Sequence, residues 1–405
     1  MMLPLEGRCF LIDLSIVIPS YNERENVRLI ADEIRQVLAS QDCRYEIVFV
    51  DDSSDDTPQV LDELSRQYGE VKYIHRSGEK GLATAVVTGF RQSRGKQIIV
   101  MDCDLQHPPA LIPLIVKRLS EADVVIPSRF VAGGSDGGLN LWRKVVSWVA
   151  RTIGQLSVSK IREISDCTGG YFGLRCDVIR QAELDPIGWK ILLEVLVRGD
   201  YRTVHEIPYS FAARDRGASK MSIREQWNYL RHLAKLVAGS SEDRRFYSFC
   251  LVGALGVVVN MLALTVALKL FPEAKVAASV VASLVAMIHN FLWNEGVTWK
   301  TRQQAGIRPR TAQFVKFGLV SGFGIALTAF FVRAFLGLGL SVYFGQLTGI
   351  IAATYWNFTM NDKWTWSGAA ARIKPVVTQE YVGKVAWTEE ADLVGKVLDE
   401  KRGTK

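Results

Sequence analysis

Charge is missing over long stretches of the C-terminal half of the sequence. Residues 246–268 and 276–294 contain no Asp, Glu, Lys or Arg, and neither does the stretch between Arg333 and Asp362. Uncharged apolar runs of this length are typical of membrane-spanning helices rather than of helices in a soluble core. The sequence therefore predicts an integral membrane protein. The expected spans lie near residues 246–269, 276–294, 315–338 and 341–360.

Signals of several other protein classes are also missing. Residues 1–13 lack the apolar core and the cleavage site of a signal peptide. The six cysteines form no CxxC pair, so we expect them to be reduced and structural. No basic stripe interleaved with aromatic residues is present, which argues against nucleic acid as a partner. The net charge of +7 instead fits a protein that lies on anionic lipid.

The positive charges beside the expected spans indicate their orientation. The approach to the first span and the loop between the second and third are basic, whereas the other two loops are short and weakly charged. Loops rich in Lys and Arg remain in the cytoplasm. We therefore expect both termini and the whole N-terminal half to be cytoplasmic. The basic residues are Lys235, Arg244, Arg245, Lys300, Arg302, Arg308, Arg310 and Lys316.

Short apolar runs alternate with helical patterns along the N-terminal half. Strands are predicted at residues 14–19, 46–50, 71–75, 97–101 and 123–127. Helices are predicted at residues 23–38, 58–68, 82–93 and 109–119. Alternation of this kind predicts an α/β domain with a mostly parallel sheet, in which ligands bind beyond the carboxyl ends of the strands.

Polar clusters follow the predicted strands, as such a binding edge requires. They occupy residues 19–23, 51–57, 80–85 and 102–109. In the last cluster, Asp102 and Asp104 directly follow a strand, so that two carboxylates and the amide of Gln106 can converge at its end. Hard oxygen ligands in this number suit Mg²⁺ or Mn²⁺, which would neutralise a departing nucleotide diphosphate.

The clusters, taken in order, resemble family 2 glycosyltransferases of the GT-A fold, which is Rossmann-like. Within that family, the sequence is more similar to dolichyl-phosphate mannose synthases and related polyprenyl-phosphate hexosyltransferases. The motifs that carry the resemblance extend from residue 17 to residue 222. They are VIPSYNERENV, VFVDDSSDDT, GLATAVVTGF, VMDCDLQHPP, PSRFVAGG, SDCTGGYFGLR and RDRGASKMS.

The resemblance implies a role for particular residues on the nucleotide-sugar side. Asp102, Asp104 and Gln106 would hold the metal, with Asp104 also acting in catalysis. Arg214 would reach the donor diphosphate, with Ser219 and Lys220 near it. The remaining residues expected at the nucleotide-sugar pocket are Pro19, Tyr21, Glu23, Asp52 and Lys80.

A helical pattern after the fifth strand supplies the expected acceptor site. Arg143, Ser147 and Arg151 are spaced four residues apart on one face of this helix. By resemblance, Arg129, Arg143 and Ser147 bind the polyprenyl phosphate, and Arg129 and Arg143 assist catalysis. No histidine or carboxylate stands out as a general base, and a phosphate oxygen is already anionic at neutral pH. Charge stabilisation and alignment can then supply most of the catalysis, in one displacement with inversion.

The membrane half contains an internal repeat with a spacing of about 67 residues. The stretch from His289 to Trp299 matches the stretch from Trp356 to Trp366. This half resembles the GtrA-like family of four-helix membrane domains. The resulting division is a GT-A catalytic domain (1–218), amphipathic interfacial helices (219–245), a GtrA-like membrane domain (246–366) and a charged C-terminal tail (367–405), for which a peripheral helix or disorder is expected.

The favoured function is transfer of one mannose from GDP-mannose to dolichyl or polyprenyl phosphate. The clusters do not distinguish this from transfer of glucose from UDP-glucose to the same lipid. A non-catalytic lipid carrier or translocator is a third alternative, which the intact set of Asp102, Asp104 and Gln106 argues against. A processive polysaccharide synthase is disfavoured because the QxxRW motif is missing. A homo-oligomer is possible.

Overall fold

The computed structural model describes residues 12–135, 141–210, 223–273, 275–300, 307–340, 342–366 and 375–380. The chain divides into two compact units. One unit comprises the residues up to Val237 together with those from Ile373 onward, and the other comprises Ala238–Arg372. The membrane half is therefore inserted between two parts of the chain that belong to one unit.

The first unit is organised around a mixed sheet. Its described strands are β1 (Ile12–Ser20), β2 (Tyr45–Asp51), β3 (Val71–His75), β4 (Gly95–Val100), β5 (Val124–Ser128), β6 (Phe172–Arg175), β7 (Thr203–Pro208) and β8 (Val376–Gln379). They lie side by side in the order β3-β2-β1-β4-β6-β5-β7-β8. Strand β6 runs antiparallel to β4 and β5, whereas the other pairs are parallel. The predictions of an α/β domain, a mostly parallel sheet and the first five strands are confirmed.

Helices of the first unit cover the sheet on both faces. They are α1 (Arg24–Leu38), α2 (Thr57–Gln67), α3 (Leu82–Gln92), α4 (Ile112–Arg118), α5 (Leu141–Ser157), α6 (Ile191–Arg198) and α7 (Ile223–Gly239). In α1, the side chains of Val27, Ile30 and Ile34 recur on one face and are fully buried. One apolar cluster includes α1, and a separate cluster includes Phe90 of α3. The four predicted helices are confirmed to within about one turn.

Strand β8 comes from the segment that follows the membrane half. It pairs in parallel with β7, from Thr203 opposite Val376 to Glu206 opposite Gln379. For Val376–Gln379 the expectation of helix or disorder is wrong. The reason is that β7 would otherwise be the edge of the sheet, and its free N–H and C=O groups accept a short extended segment regardless of its weak sequence signal.

The second unit contains four described helices, one at each expected span. They are α8 (Ser241–Leu270), α9 (Lys275–Trp293), α10 (Ile307–Gly337) and α11 (Val342–Met360). Helix α8 and the Arg310–Phe335 stretch of α10 are long and apolar enough to cross a bilayer. Large apolar side chains such as Leu251, Leu262 and Ile325 are exposed along them, as expected for surfaces that face lipid.

The internal repeat is visible as two matching turns of π-helix, Asn294–Thr298 and Asn361–Thr365. In each turn the threonine hydroxyl donates to the asparagine Oδ1 at 2.7 Å. The two turns end on Trp299 and Trp366, whose fully buried rings stack with centroids 4.2 Å apart and planes inclined by 4°. The repeats therefore meet through equivalent residues, which is a structural role for the repeated motif.

Glycines allow the helices of each repeat to approach closely. A Cβ atom built on Gly256 would lie 2.1 Å from Asn290 Oδ1, and one built on Gly324 would lie 2.8 Å from the side chain of Asn357. Small residues at helix contacts permit close packing within a membrane. Equivalent glycine and asparagine positions in the two repeats therefore form equivalent contacts.

Candidate active site

A cavity of about 670 Å³ lies in the first unit, at the carboxyl ends of its parallel strands. Most of the residues predicted for the nucleotide-sugar, metal and phosphate sites line it together. They are Pro19, Tyr21, Glu23, Asp52, Lys80, Asp102, Asp104, Gln106, Arg129 and Ser147. Arg143 belongs to α5, but its side chain lies outside the described residues, as do Arg214, Ser219 and Lys220 altogether.

One end of the cavity is shaped by the carboxylate of Asp52, which follows β2. Arg76 donates to it from Nε at 2.7 Å and from Nη2 at 2.6 Å, and the backbone N–H of Gly81 donates at 2.8 Å. Arg76 is almost fully buried and also donates to the carbonyl of Gly81 at 3.0 Å. The loop that carries Lys80 and Gly81 is therefore fixed against β2. Sequence reasoning missed Arg76, although its position directly after β3 at the same edge of the sheet was a usable signal.

A second carboxylate, Asp51, organises the loop after β1. It is fully buried and accepts hydrogen bonds from Ser20 Oγ at 2.8 Å and from Ser53 Oγ at 2.5 Å. Ser53 Oγ in turn accepts from the backbone N–H of Asn22 at 2.7 Å. Asn22 has a φ of 55°, a left-handed conformation that asparagine tolerates. The sharp turn at Asn22 places both Tyr21 and Glu23 at the cavity.

The acidic cluster after β4 is held by a buried histidine. The backbone N–H of Asp102 donates to His107 Nδ1 at 3.0 Å, so the neutral imidazole carries its proton on Nε2. The His107 ring stacks on Tyr171 with centroids 5.1 Å apart. The backbone N–H of Gln106 donates to Asp104 Oδ1 at 3.2 Å, which closes the turn. His107 is a residue that the sequence reasoning left without a role.

The acidic cluster has the donor set that a divalent cation requires. Asp102, Asp104 and Gln106 all reach the cavity and together offer hard oxygen ligands. Within the described part of the chain, no three His, Cys, Asp or Glu side chains form a cage made of protein alone. The donor set of Asp102, Asp104 and Gln106 fits a Mg²⁺-type site, which uses one or two carboxylates and completes its shell with water and phosphate oxygens.

Cationic side chains occupy the cavity beside the acidic cluster. Arg129 follows β5, and its Nε lies 3.4 Å from Oδ2 of the buried Asp166. Lys190 donates to the carbonyl of Thr168 at 3.1 Å, and burial lowers the pKa of its ammonium group against the opposing effect of Asp166. Lys190 was not found from the sequence, because it stands in an irregular segment beside Gly188, which has a φ of 79°.

Helices α5 and α7 close another side of the cavity. Ser147 of α5 and Tyr229 of α7 both line it, and Tyr229 Oη donates to the carbonyl of Ala150 at 2.6 Å. Trp148 is 56% exposed on α5 and Trp227 is 62% exposed on α7, as expected for helices at a membrane surface. Leu233 of α7, in contrast, is buried in the core of the first unit.

Two family models match separate parts of the chain. Residues 15–182 match glycosyl transferase family 2, and residues 248–366 match the GtrA/DPMS transmembrane domain. The dolichol-phosphate mannosyltransferase of Pyrococcus furiosus is 37% identical over 358 residues, which cover 87% of this chain and 99% of that protein. The protein of the same name from Saccharomyces cerevisiae is 30% identical over 237 residues, which cover 56% of this chain and 87% of that protein.

Solved structures of glucosyl-3-phosphoglycerate synthase from Mycobacterium tuberculosis are more distant. One of them, in complex with UDP, superimposes with a TM-score of 0.41 and 15% identity over 56% of this chain and 80% of that one. Another, with Mn²⁺, UDP-glucose and phosphoglyceric acid, gives a TM-score of 0.41 and 14% identity over 56% and 79%.

The matched models define a glycosyltransferase with a GT-A catalytic domain and a GtrA-like membrane domain, so the protein is a membrane enzyme. The extent of the match to the Pyrococcus protein narrows the class. This chain belongs to the dolichol-phosphate mannosyltransferase family. The resemblance recognised from the sequence motifs is thereby confirmed.

Proposed function

We propose that the protein transfers a single mannose from GDP-mannose to the phosphate of dolichol or another polyprenol. The observation that carries the proposal is one cavity that brings together the carboxylates Asp102 and Asp104 and the cations Arg129 and Lys190. A sugar donor with a diphosphate needs the first set, through a metal, and an anionic acceptor needs the second. The relatives named dolichol-phosphate mannosyltransferase support mannose and dolichyl phosphate as the substrates.

On the donor side, Asp102, Asp104 and Gln106 would hold Mg²⁺ or Mn²⁺, which would neutralise the charge of the diphosphate leaving group. Pro19, Tyr21, Glu23 and Asp52 receive the nucleoside, and the pair of Asp52 with Arg76 keeps this end of the cavity in shape. Arg214, Ser219 and Lys220 are assigned to the donor diphosphate, with Lys80 nearby.

On the acceptor side, Arg129, Arg143 and Ser147 bind the lipid phosphate. Guanidinium groups suit phosphate because their planar donors match pairs of its oxygens. Lys190 adds a further positive charge to the same cavity. The exposed apolar side chains of α5, among them Trp148 and Leu156, support contact of this side with the lipid.

The reaction is one displacement. An acceptor phosphate oxygen attacks the anomeric carbon of mannose, a new C–O bond forms, and the bond from that carbon to the diphosphate breaks. GDP leaves with the electron pair, and the configuration inverts. The attacking oxygen is already anionic at neutral pH, so no proton has to be removed, and positioning together with charge stabilisation supplies the catalysis.

We place the catalytic unit and both termini in the cytoplasm. Strand β8 lies in the same sheet as the strands that precede the membrane half. Because one sheet cannot lie on both sides of a bilayer, the chain between β7 and β8 must cross the membrane an even number of times, which the four helices allow. The basic residues around Arg308 and Lys316 support the cytoplasmic side.

Purified full-length protein, incubated with radiolabelled donor, Mn²⁺ and polyprenyl phosphate, tests the proposal directly. We expect label from GDP-mannose in the lipid phase, with far less from UDP-glucose at equal concentration. A preference for UDP-glucose would make the protein a glucosyltransferase. If the protein binds both nucleotide sugars but transfers sugar from neither, the result would support the alternative of a non-catalytic lipid carrier or translocator.

A further inference from the structure

Strand β8 is fixed at its end by a buried carboxylate on one side and by an ion pair on the other. The backbone N–H of Glu380, the residue after β8, donates to the carbonyl of Glu206 at 3.0 Å, which continues the ladder with β7. The carboxylate of Glu380 accepts two hydrogen bonds from the guanidinium of Arg118 at the end of α4, one of them from Nε at 2.9 Å. The position of β8 along β7 is therefore strongly specified.

The side chain of Gln379 reaches a carboxylate inside the first unit. Its amide Nε2 donates to Glu206 Oε2 at 3.1 Å, and Glu206 is fully buried. A buried carboxylate is costly unless donors surround it. The other donors to Glu206 are the backbone N–H of Ser165 at 2.9 Å, the hydroxyl of Ser165 at 2.7 Å and the backbone N–H of Asp166 at 3.1 Å.

The loop held by Glu206 also contacts the acceptor side of the cavity. Arg129 Nε lies 3.4 Å from Asp166 Oδ2. Ser165 Oγ lies 2.6 Å from the Oγ of Ser128, which is the residue before Arg129 in the sequence. Arg151 donates to the carbonyl of Ser165 at 3.4 Å. A continuous set of hydrogen bonds therefore joins Gln379 to Glu206, Glu206 to the 165–166 loop, and this loop to Arg129.

We propose that β8 positions the acceptor-phosphate site, with Gln379 and Glu380 as positioning residues that act through Glu206 and the 165–166 loop on Arg129. The proposal rests on the proposed function, in which Arg129 binds the lipid phosphate. It assigns a role to a segment that follows the membrane half and whose described residues do not line the cavity. Strand β8 then affects how the acceptor is bound, whereas the nucleotide end of the cavity, built on β1 and β2, is left unaffected.

Gln379→Met in the full-length protein tests the proposal, because methionine keeps the length of the side chain and removes the donor. We expect the KM for polyprenyl phosphate to rise about tenfold, as for loss of one hydrogen bond to a charged group, with the Kd for the nucleotide unchanged. Thr378→Val, an exposed neighbour on the same strand, serves as the matched control with wild-type values. Equal changes in acceptor KM and nucleotide Kd for Gln379→Met would indicate general damage and overturn the proposal.

The ion pair offers a rescue experiment. Arg118→Glu should raise the acceptor KM by the same route, since it places two carboxylates together at the end of β8. Adding Glu380→Arg to that variant restores an opposite-charge pair and should return the KM most of the way. Failure of the double variant to recover, with the single variant impaired, would mean that Arg118 does not act through β8.

Hydrogen exchange gives a readout that does not depend on the reaction. The amides of Ser165 and Asp166 are held by Glu206, so they should exchange several-fold faster in Gln379→Met than in Thr378→Val. Exchange and transfer are separate measurements, so they distinguish the two proposals. If these amides exchange faster in Gln379→Met but the wild-type protein transfers no sugar, the positioning contact stands and the proposed function fails. Unchanged exchange at these amides would overturn the positioning role.

Discussion

Arg76 and Asp52 form a forked ion pair, with two guanidinium N–H groups donating to the two carboxylate oxygens at 2.7 and 2.6 Å. Both side chains are almost fully buried. Asp52 is a residue expected at the nucleotide, yet its carboxylate also accepts from the backbone of Gly81. The pair therefore defines the shape of this end of the cavity, where the nucleotide is proposed to bind, by joining the loops that follow β2 and β3.

Replacing Arg76 with lysine should weaken donor binding. An ammonium group retains the charge but cannot donate two parallel hydrogen bonds, so the loop at Gly81 loses one of its constraints. We expect Arg76→Lys to raise the Kd for the nucleotide about tenfold, measured by calorimetry, with little change in acceptor KM. Arg94→Lys, which alters the contact of a half-exposed arginine with the buried Glu46 elsewhere on the sheet, is the control. Unchanged nucleotide affinity would remove Arg76 from the donor site.

The metal assignment predicts the phenotype of Asp104→Asn. The amide removes the negative charge while keeping the shape, so transfer should fall by at least about two orders of magnitude, as when one charged ligand of a cation is lost. Titration with Mn²⁺ should require far more metal for any remaining activity. Asp177→Asn, at an exposed carboxylate, is the control and should behave as the wild type. Full activity of the wild-type protein in excess chelator would contradict the assignment.

The acceptor assignment predicts which kinetic constant changes in arginine variants. Arg129→Ala and Arg143→Ala should each raise the KM for polyprenyl phosphate by about 10- to 150-fold, the loss of one charge-assisted hydrogen bond, with the nucleotide Kd nearly unchanged. Arg143→Lys should recover only part of the loss, because lysine lacks the paired donors. Lys144→Ala, an exposed cation on the same helix, is the control. An increase confined to the donor Kd would move these arginines to the donor site.

Lys190 predicts an alkaline limit of activity. Burial lowers its pKa below the usual 10.5, so the ammonium charge at the proposed phosphate site is lost at a lower pH than for an exposed lysine. Activity should therefore decline as pH rises through this lowered pKa, and Lys190→Arg should move the decline upward. The stability of the fold depends on pH in the opposite direction to activity. The unfolded chain binds this proton more tightly, so the free energy of unfolding rises with pH between the lowered pKa and 10.5. A profile unchanged by Lys190→Arg would exclude this role.

The sequence predicted the first five strands and the edge of the sheet at which the cavity lies, because apolar runs and the polar clusters after them are local patterns. It also predicted most of the cavity, including Asp52, Asp104 and Arg129, since each follows a strand. Arg76 also follows a strand, and it was overlooked although that position was a usable signal. Lys190 escaped because it lies in an irregular segment without a periodic pattern. Strand β8 escaped for a different reason. A run of four residues in a charged segment becomes a strand only through its partner β7, far away in the chain.

The pairing of β7 with β8 also sets the order in which the protein can be built. Glu206 and Gln379, which face each other in the register, are separated by 173 positions in sequence, and the whole membrane half lies between them. During synthesis β7 must therefore remain an open sheet edge until all four helices have been made. Contacts between such distant residues form slowly, and an open edge is prone to pairing with other chains. A chain that ends before β8 would keep that edge permanently, so truncation near the C-terminus should produce aggregation rather than a shortened enzyme.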